Sequence, residues 1–270
     1  DVDAVKRAIT PKTKAIVPVH LFGQCADMEA ILKIAKAHDL YVIEDNAQAI
    51  GAIYTASDGS KTKAGNMGHV ASTSFFPSKN LGCYGDGGAI FTNDDDLAHT
   101  IRGIVNHGMY KRYHHDVVGV NSRLDSIQAA VLDAKLPRLD AYNKARRDSA
   151  RKYNSAFRNH PNISVPRAGR DCEKICEHCD CHVFHQYTLK LRNADRDGLV
   201  AHLNSKGIPC GIYYPIPLHK QEAYKSERYN EVDFKVTNQL SKEVFSLPMH
   251  TELEDDQIDY IVNTIKEYLG

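Results

Sequence analysis

Apolar positions along the first half of the chain follow two alternating periods. Ala15-Ile16-Val17-Pro18-Val19 predicts a strand, and His20 to Gln24 the loop after it. Asp27 is placed to cap a helix whose apolar face carries Met28, Ile31, Leu32 and Ala35. That helix leads into a second short strand, Tyr41-Val42-Ile43-Glu44, which ends in Asp45. Strand, helix and strand in this order make a βαβ unit and hence a parallel sheet, so the fold class is α/β. Val70 to Phe76 continues the alternation and stops at Pro77. Gly88 to Thr92 is a further strand; Asn93 or Asp94 then caps a helix with Leu97, Ile101 and Ile104 inward, ended by Asn106-His107-Gly108.

The second half reads differently. Met109 to Val118, rich in Tyr, His and Arg, predicts an ordered loop. From Arg123 the pattern is helical through Ile127, Ala130, Val131 and Leu136, and Pro137 breaks it before a second helical stretch reaching about Phe157. We place a boundary here, giving a large domain over residues 1–135 and a small α+β domain over residues 136–270. Strands are expected at Ile163 to Val165, Val183 to Leu191 and Ile208 to Tyr214, and a helix from Arg196 to Lys206, ended by Gly207. Thr251 with Glu254 predicts a capping box for a last amphipathic helix through Ile258, Ile261, Val262, Ile265 and Leu269.

Composition narrows the partners. In 270 residues, Lys+Arg and Asp+Glu each total 34, so no overall field favours nucleic acid and any phosphate recognition is local. There is no basic block for a membrane surface, no apolar run near a spanning length and no signal-peptide pattern, which points to the cytoplasm. Seven cysteines, an odd number without a secretory signal, argue against a disulfide framework. The opening residues, Asp1 to Ile9, read as the middle of a domain.

The candidate chemistry lies in Val70 to Gly88. Lys79 follows a strand end and precedes a loop holding Gly82, Gly85, Gly87 and Gly88. Desolvation readily frees a lysine amine, and carbonyl cofactors or substrates then trap it as an imine. Alone, such a lysine reads as a solvated charge. Asp45 alters the balance, because ligands of open α/β sheets gather beyond the carboxyl ends of strands and both residues sit at such ends. An acid beside an imine-forming lysine suits pyridoxal phosphate, whose pyridine nitrogen it keeps protonated.

Several further motifs join these: Glu44-Asp45-Asn46-Ala47-Gln48-Ala49, Ser74 to Gly82, Gly85-Asp86-Gly87-Gly88, Asn106-His107-Gly108 and Gly119 to Ala130. In that order the chain resembles the DegT/DnrJ/EryC1/StrS family of pyridoxal-phosphate-dependent sugar aminotransferases, from its first residue nearly to its last. The resemblance implies a fold-type I transferase, similar to aspartate aminotransferase. It implies that Lys79 bonds the cofactor and moves protons, and lysine rather than histidine there points to amino transfer instead of dehydration. Asp45 then pairs with the ring nitrogen, Gln48 covers one ring face, and Ser74 binds the phosphate. Asn121 reaches the phosphate from the neighbouring subunit, so the implied state is a homodimer with a shared site. Arg123 grips a substrate carboxylate, while His185, Tyr213 and His219 line the sugar-nucleotide pocket. Without the resemblance, Asp45 reads as a helix N-cap or a surface ion pair, Ser74 as a packed strand residue, Arg123 as a helix-start surface charge, and the last three equally as core or turn residues. The implied reaction takes an amino group from L-glutamate to C3 of a UDP-linked 3-oxo-N-acetylglucosaminuronate, toward surface polysaccharides. Alternatives are amination at C4 of another nucleotide sugar and an inactive cofactor-binding regulator. Family members carry a substantial part before the position matching Asp1, including a phosphate-binding turn and a ring-stacking aromatic residue, so a fragment is expected.

Two features stand apart. Cys172, Cys176, Cys179 and Cys181, with His178 and His182, have spacings that suit zinc or an iron–sulfur cluster, yet lie between strands far from Lys79; we read them as a reduced, solvent-facing loop and assign no metal. Gly82 to Gly88 precedes a strand, whereas a phosphate-cradling loop opens a helix, which disfavours a simple nucleotide-binding module.

Overall fold

The computed structural model describes residues 1–167 and 180–270, which form two compact units. The first comprises Asp1–Asn143 and Asp180–His185. The second comprises Lys144–Cys179 and Gln186–Gly270, as far as it is described.

In the first unit, α1 (Val2–Ala8) precedes β1 (Ala15–Ile16), α2 (Met28–Ala37) and β2 (Tyr41–Asp45). β3 (Ile53–Thr55) and β4 (Lys61–Lys63) form a hairpin, followed by β5 (Val70–Ser74), β6 (Gly88–Phe91) and α3 (Asp95–Val105). The main sheet has the order β1-β2-β5-β6; β1, β2 and β5 are parallel, and β6 is an antiparallel edge strand. β1 is shorter than its apolar run because Pro18 has no N–H to give the ladder, although Val19 still bridges Asp45. Asp27 caps α2 through the Ala30 N–H, and Met28, Ile31 and Ala35 bury against Leu40 and Val42. The larger of these side chains, Met28, Ile31, Leu40 and Val42, contribute roughly 1.5–3 kcal/mol each when fully buried. One face of β2 is covered, whereas Tyr41 and Ile43 on the other face are exposed.

Three expectations change in this unit. Ile104 is exposed rather than inward, because Gly103 presents the buried face of α3 and the Tyr110 ring covers it. Met109 to Val118 contains a hairpin, β7 (Met109–Lys111) with β8 (His114–His115), whose polar side chains hid its period. The unit also runs on through α4 (Ser126–Lys135) and the start of α5 (Leu139–Phe157) to Asn143.

Asp180–His185 returns to the first unit, so the expected strand from Val183 begins only at Tyr187. Within this segment His182 is buried and stacked on Phe184 at 3.8 Å, and its Nδ1 accepts from the Phe184 N–H. Burial pushes its pKa down to about 3 from 6.5. The unfolded chain therefore binds a proton that the folded chain refuses between those values. Stability should fall as the pH drops from about 6.5, by up to about 1.4 kcal/mol per pH unit. Urea unfolding across this range checks it: His182→Gln should flatten the slope, and an unchanged slope counts against His182 as its source.

In the second unit, β10 (Tyr187–Leu191) lies between β9 (Ile163–Ser164) and β11 (Val244–Leu247), all antiparallel. α6 (Arg196–Ser205) and α8 (Asp255–Leu269) pack together through apolar faces that include Leu199, Leu203, Ile258, Ile261 and Ile265, and α7 (Lys235–Glu243) leads into β11. Ile208 to Tyr214 is not a strand; Gly211 makes a single bridge to Ser246. Pro209 and Pro215 remove the N–H groups a ladder would need. The capping box of α8 belongs to Glu254 and Gln257, not to Thr251. Among the described residues, no helix is long and apolar enough to cross a membrane.

Candidate active site

The strand ends of the first unit bring the predicted groups to one side of the sheet. Asp45 pairs in register with Ser72, so Ser74 stands one strand over and two residues further along, on the same face as Asp45. Asp45 is fixed at both main-chain groups: its N–H donates to the Pro18 carbonyl at 2.9 Å, and its carbonyl accepts from the His20 N–H at 3.0 Å. Its carboxylate accepts from the Ala47 N–H at 3.1 Å. Gln48 is held through its side-chain oxygen by the Phe22 N–H at 2.6 Å. The Ser74 hydroxyl accepts from the Phe76 N–H at 3.3 Å.

Lys79 follows β5 in a tightly tied loop. Gly82 passes so close to the Pro77 carbonyl that a Cβ there would sit 2.4 Å from its oxygen. The Gln128 side-chain oxygen accepts from the Tyr84 and Gly85 N–H groups at 2.8 and 3.1 Å, and Lys135 donates to the Gly82 carbonyl. Asn80, next to Lys79, is buried and donates to Asn143 at 2.7 Å and to the Val183 carbonyl at 2.9 Å. The Lys79 side chain is half-buried, and desolvation lowers its pKa below the usual lysine range while the nearby Asp45 charge acts in the opposite sense. Amine and acid therefore feel one another.

The other candidates divide. Asn121 and Arg123 are exposed and bonded to each other at 3.1 Å, lining a cleft of about 980 Å³ with Ser72, Gly88, Ile90 and Ile101. Neither Lys79 nor Asp45 lines that cleft. His185 is buried in the first unit. Tyr213 and His219 belong to the second, where Tyr213 covers Gly211 and His219 stacks on Phe234 at 4.2 Å. Cys172, Cys176, Cys179 and His178 lie outside the described residues. Among the described residues no cluster of His, Cys, Asp or Glu could hold a metal.

Glu44 and His20 are not among the sequence-predicted site residues. Both are fully buried and joined at 2.8 Å. The signal was available: strict alternation puts Glu44 on the same face as Val42, and a charge on a core face demands partners.

A model of the DegT/DnrJ/EryC1/StrS aminotransferase family matches residues 1–266. The chain belongs to this family. It is 47% identical over 98% of its length to a protein of Geobacillus stearothermophilus named "Pleiotropic regulatory protein", and covers 68% of that relative. It is 44% identical, over 97% of its length, to the UDP-2-acetamido-2-deoxy-3-oxo-D-glucuronate aminotransferase of Pseudomonas aeruginosa, covering 67% of it. Among solved structures it is similar to S. venezuelae DesV in complex with a ketimine intermediate, with a TM-score of 0.89 and 38% identity over 99% of this chain and 68% of that one. The chain thus spans about two thirds of the length of these relatives.

Members of the DegT/DnrJ/EryC1/StrS family are fold-type I sugar aminotransferases that act on nucleotide sugars with pyridoxal phosphate. The residues of this chain fit that cofactor. A partly desolvated amine and an acid that influences it meet at the carboxyl ends of parallel strands, with a serine hydroxyl on the same sheet face.

Proposed function

We propose that this family member takes the amino group of L-glutamate and delivers it to C3 of a UDP-linked 3-oxo-N-acetylglucosaminuronate in the cytoplasm. The observation that carries the amino-transfer reading is the half-buried Lys79 beside Asp45. The choice of sugar is supported by the likeness to the Pseudomonas aeruginosa enzyme.

When bound, pyridoxal phosphate supplies a carbonyl that amines displace and a ring that stores an electron pair. In this reading the Asp45 carboxylate keeps the pyridine nitrogen protonated, which its two main-chain hydrogen bonds help by holding it still. Lys79 holds the cofactor when no substrate is present and carries protons between donor, cofactor and sugar. Burial favours this work, because only the uncharged amine can accept a proton or attack. Gln48 lies over one ring face, steadied by Phe22. Ser74 and a partner subunit's copy of Asn121 hold the phosphate, which makes the working unit a homodimer. Arg123 offers a two-pronged grip to a carboxylate, and both glutamate and the uronic acid carry one. His185 contacts the sugar nucleotide from within the first unit.

Protein loaded with pyridoxal phosphate should convert the UDP-linked 3-oxo-uronate in the presence of glutamate, followed as amino-sugar mass and 2-oxoglutarate release. Turnover of 4-keto nucleotide sugars in its place would reassign the aminated carbon. Turnover of neither would remove the substrate proposal.

A further inference from the structure

Behind the residues assigned to the cofactor lies a polar assembly sealed from water. We infer that Glu44 is a permanently ionised positioning residue that, through His20, fixes the main chain of Asp45 and the loop that grips Gln48. The inference rests on the proposed roles of Asp45 and Gln48 toward the ring.

The charge state follows from counting donors. One Glu44 oxygen accepts from the Met67 and Gly68 N–H groups at 2.7 and 2.5 Å. The other accepts from the Gly65 N–H and from His20 Nε2, both at 2.8 Å. A protonated carboxyl would turn a hydrogen against one of these donors, so Glu44 is a carboxylate. Burial pushes its pKa up, but the bonds from His20, Gly68, Gly65 and Met67 outweigh that and hold it below the usual range. His20 Nδ1 accepts from the Ala26 N–H at 3.1 Å. A backbone N–H can only donate, so Nδ1 is bare and the ring hydrogen sits on Nε2, facing Glu44. The imidazole is neutral, and four oriented dipoles, not a cation, stabilise the anion. Burial and then this anion hold the nearby Cys25 thiol up at about 12.

The same assembly reaches the site through the main chain. His20 is clamped by Glu44 on one ring nitrogen and by Ala26 on the other, and its own N–H bonds the Asp45 carbonyl. Two residues later Phe22, at φ 60°, aims its N–H at Gln48. Glu44 also pins the turn at Gly65 to Gly68. A side chain on the core face thus sets the position of groups on the opposite face.

An amide cannot take its place. In Glu44→Gln the NH₂ must meet either Met67 and Gly68 or Gly65 and His20, and His20 can move its hydrogen only by abandoning Ala26. His20→Gln, by contrast, keeps one donor and one acceptor on a single side chain, while His20→Ala keeps neither.

The test uses the whole chain with added pyridoxal 5′-phosphate, near-UV circular dichroism to establish folding, and Asp45→Asn as reference. Two readouts are followed: the cofactor dissociation constant, and the pH at which the visible absorption of the bound cofactor titrates. Glu44→Gln and His20→Ala should weaken cofactor binding about tenfold or more and displace the titration, with His20→Gln within about threefold of the unsubstituted protein. Nitrogen-15 NMR of His20 in the unsubstituted protein should show the neutral tautomer with hydrogen on Nε2, a readout that stands even where Glu44→Gln does not fold. Hydrogen on Nδ1, or His20→Gln as damaging as His20→Ala, overturns the inference. So does a folded Glu44→Gln that matches the unsubstituted protein while Asp45→Asn changes both readouts. If Asp45→Asn itself changes neither, the role given to Asp45 has failed instead, and the inference falls with it.

Discussion

Lys79→Ala should lower amino transfer by at least about 10⁴-fold, because in the proposed function one substitution removes both the covalent attachment point and the proton carrier. The magnitude rests on the setting of this lysine. Its amine is half-buried, so the protonated form is disfavoured and the free amine is more available than that of a surface lysine. The loop that carries it is tied by Gln128, Lys135 and Asn80, which hold the amine in place. Lys79→Arg should be equally inactive, since a guanidinium stays charged and neither attacks a carbonyl nor accepts a proton near neutral pH. Product mass and 2-oxoglutarate release measure the loss; retention of a tenth of the activity by Lys79→Ala would end the assignment. The same variant separates catalysis from regulation, a pertinent distinction given the name of the Geobacillus stearothermophilus relative. A regulator that merely binds the cofactor need not lose its biological output when Lys79 is lost.

Asp45→Asn should cut kcat by about 10²–10³-fold, the scale seen when one fixed electrostatic partner of a reacting centre is removed. The amide is nearly the shape of the acid and can still accept the Ala47 N–H, so folding should survive and the loss should report charge. A second effect has a definite sign. Asp45 raises the proton affinity of Lys79, against the larger effect of burial. Removing that charge lowers the Lys79 pKa further, so the acidic limb of the rate profile that tracks this amine should move to lower pH. A profile that stays in place, or moves to higher pH, would show that the carboxylate does not act on the lysine.

The parts legible in the chain were those with one clear period or one clear punctuating residue. Asp27 and Asp94 cap their helices as expected, Pro137 divides two helices, and Tyr41 to Asp45 forms a parallel strand. β11 went unseen because all four of its residues are buried, which leaves no alternation to detect. The hairpin at Met109 to His115 was masked by exposed polar side chains, and 208–214 looked like a strand only if the flanking prolines were ignored. Lys79 and Asp45 are proposed from the sequence because Asp45 ends a strand and Lys79 lies in the Pro- and Gly-marked loop after the next one. Alternation along β2 marks Glu44 as a charge on the core face, but its partners, His20 among them, emerge only from a three-dimensional count of donors and acceptors that no spacing records.

The division into two compact units has a bearing on how such enzymes diversify. In the proposed function the groups assigned to the cofactor all belong to the first unit, together with Arg123 and His185, and Tyr213 and His219 belong to the second. On that assignment the cofactor groups and part of the grip on the substrate are inherited together, so substitutions that change the accepted hexose are not confined to one half of the gene.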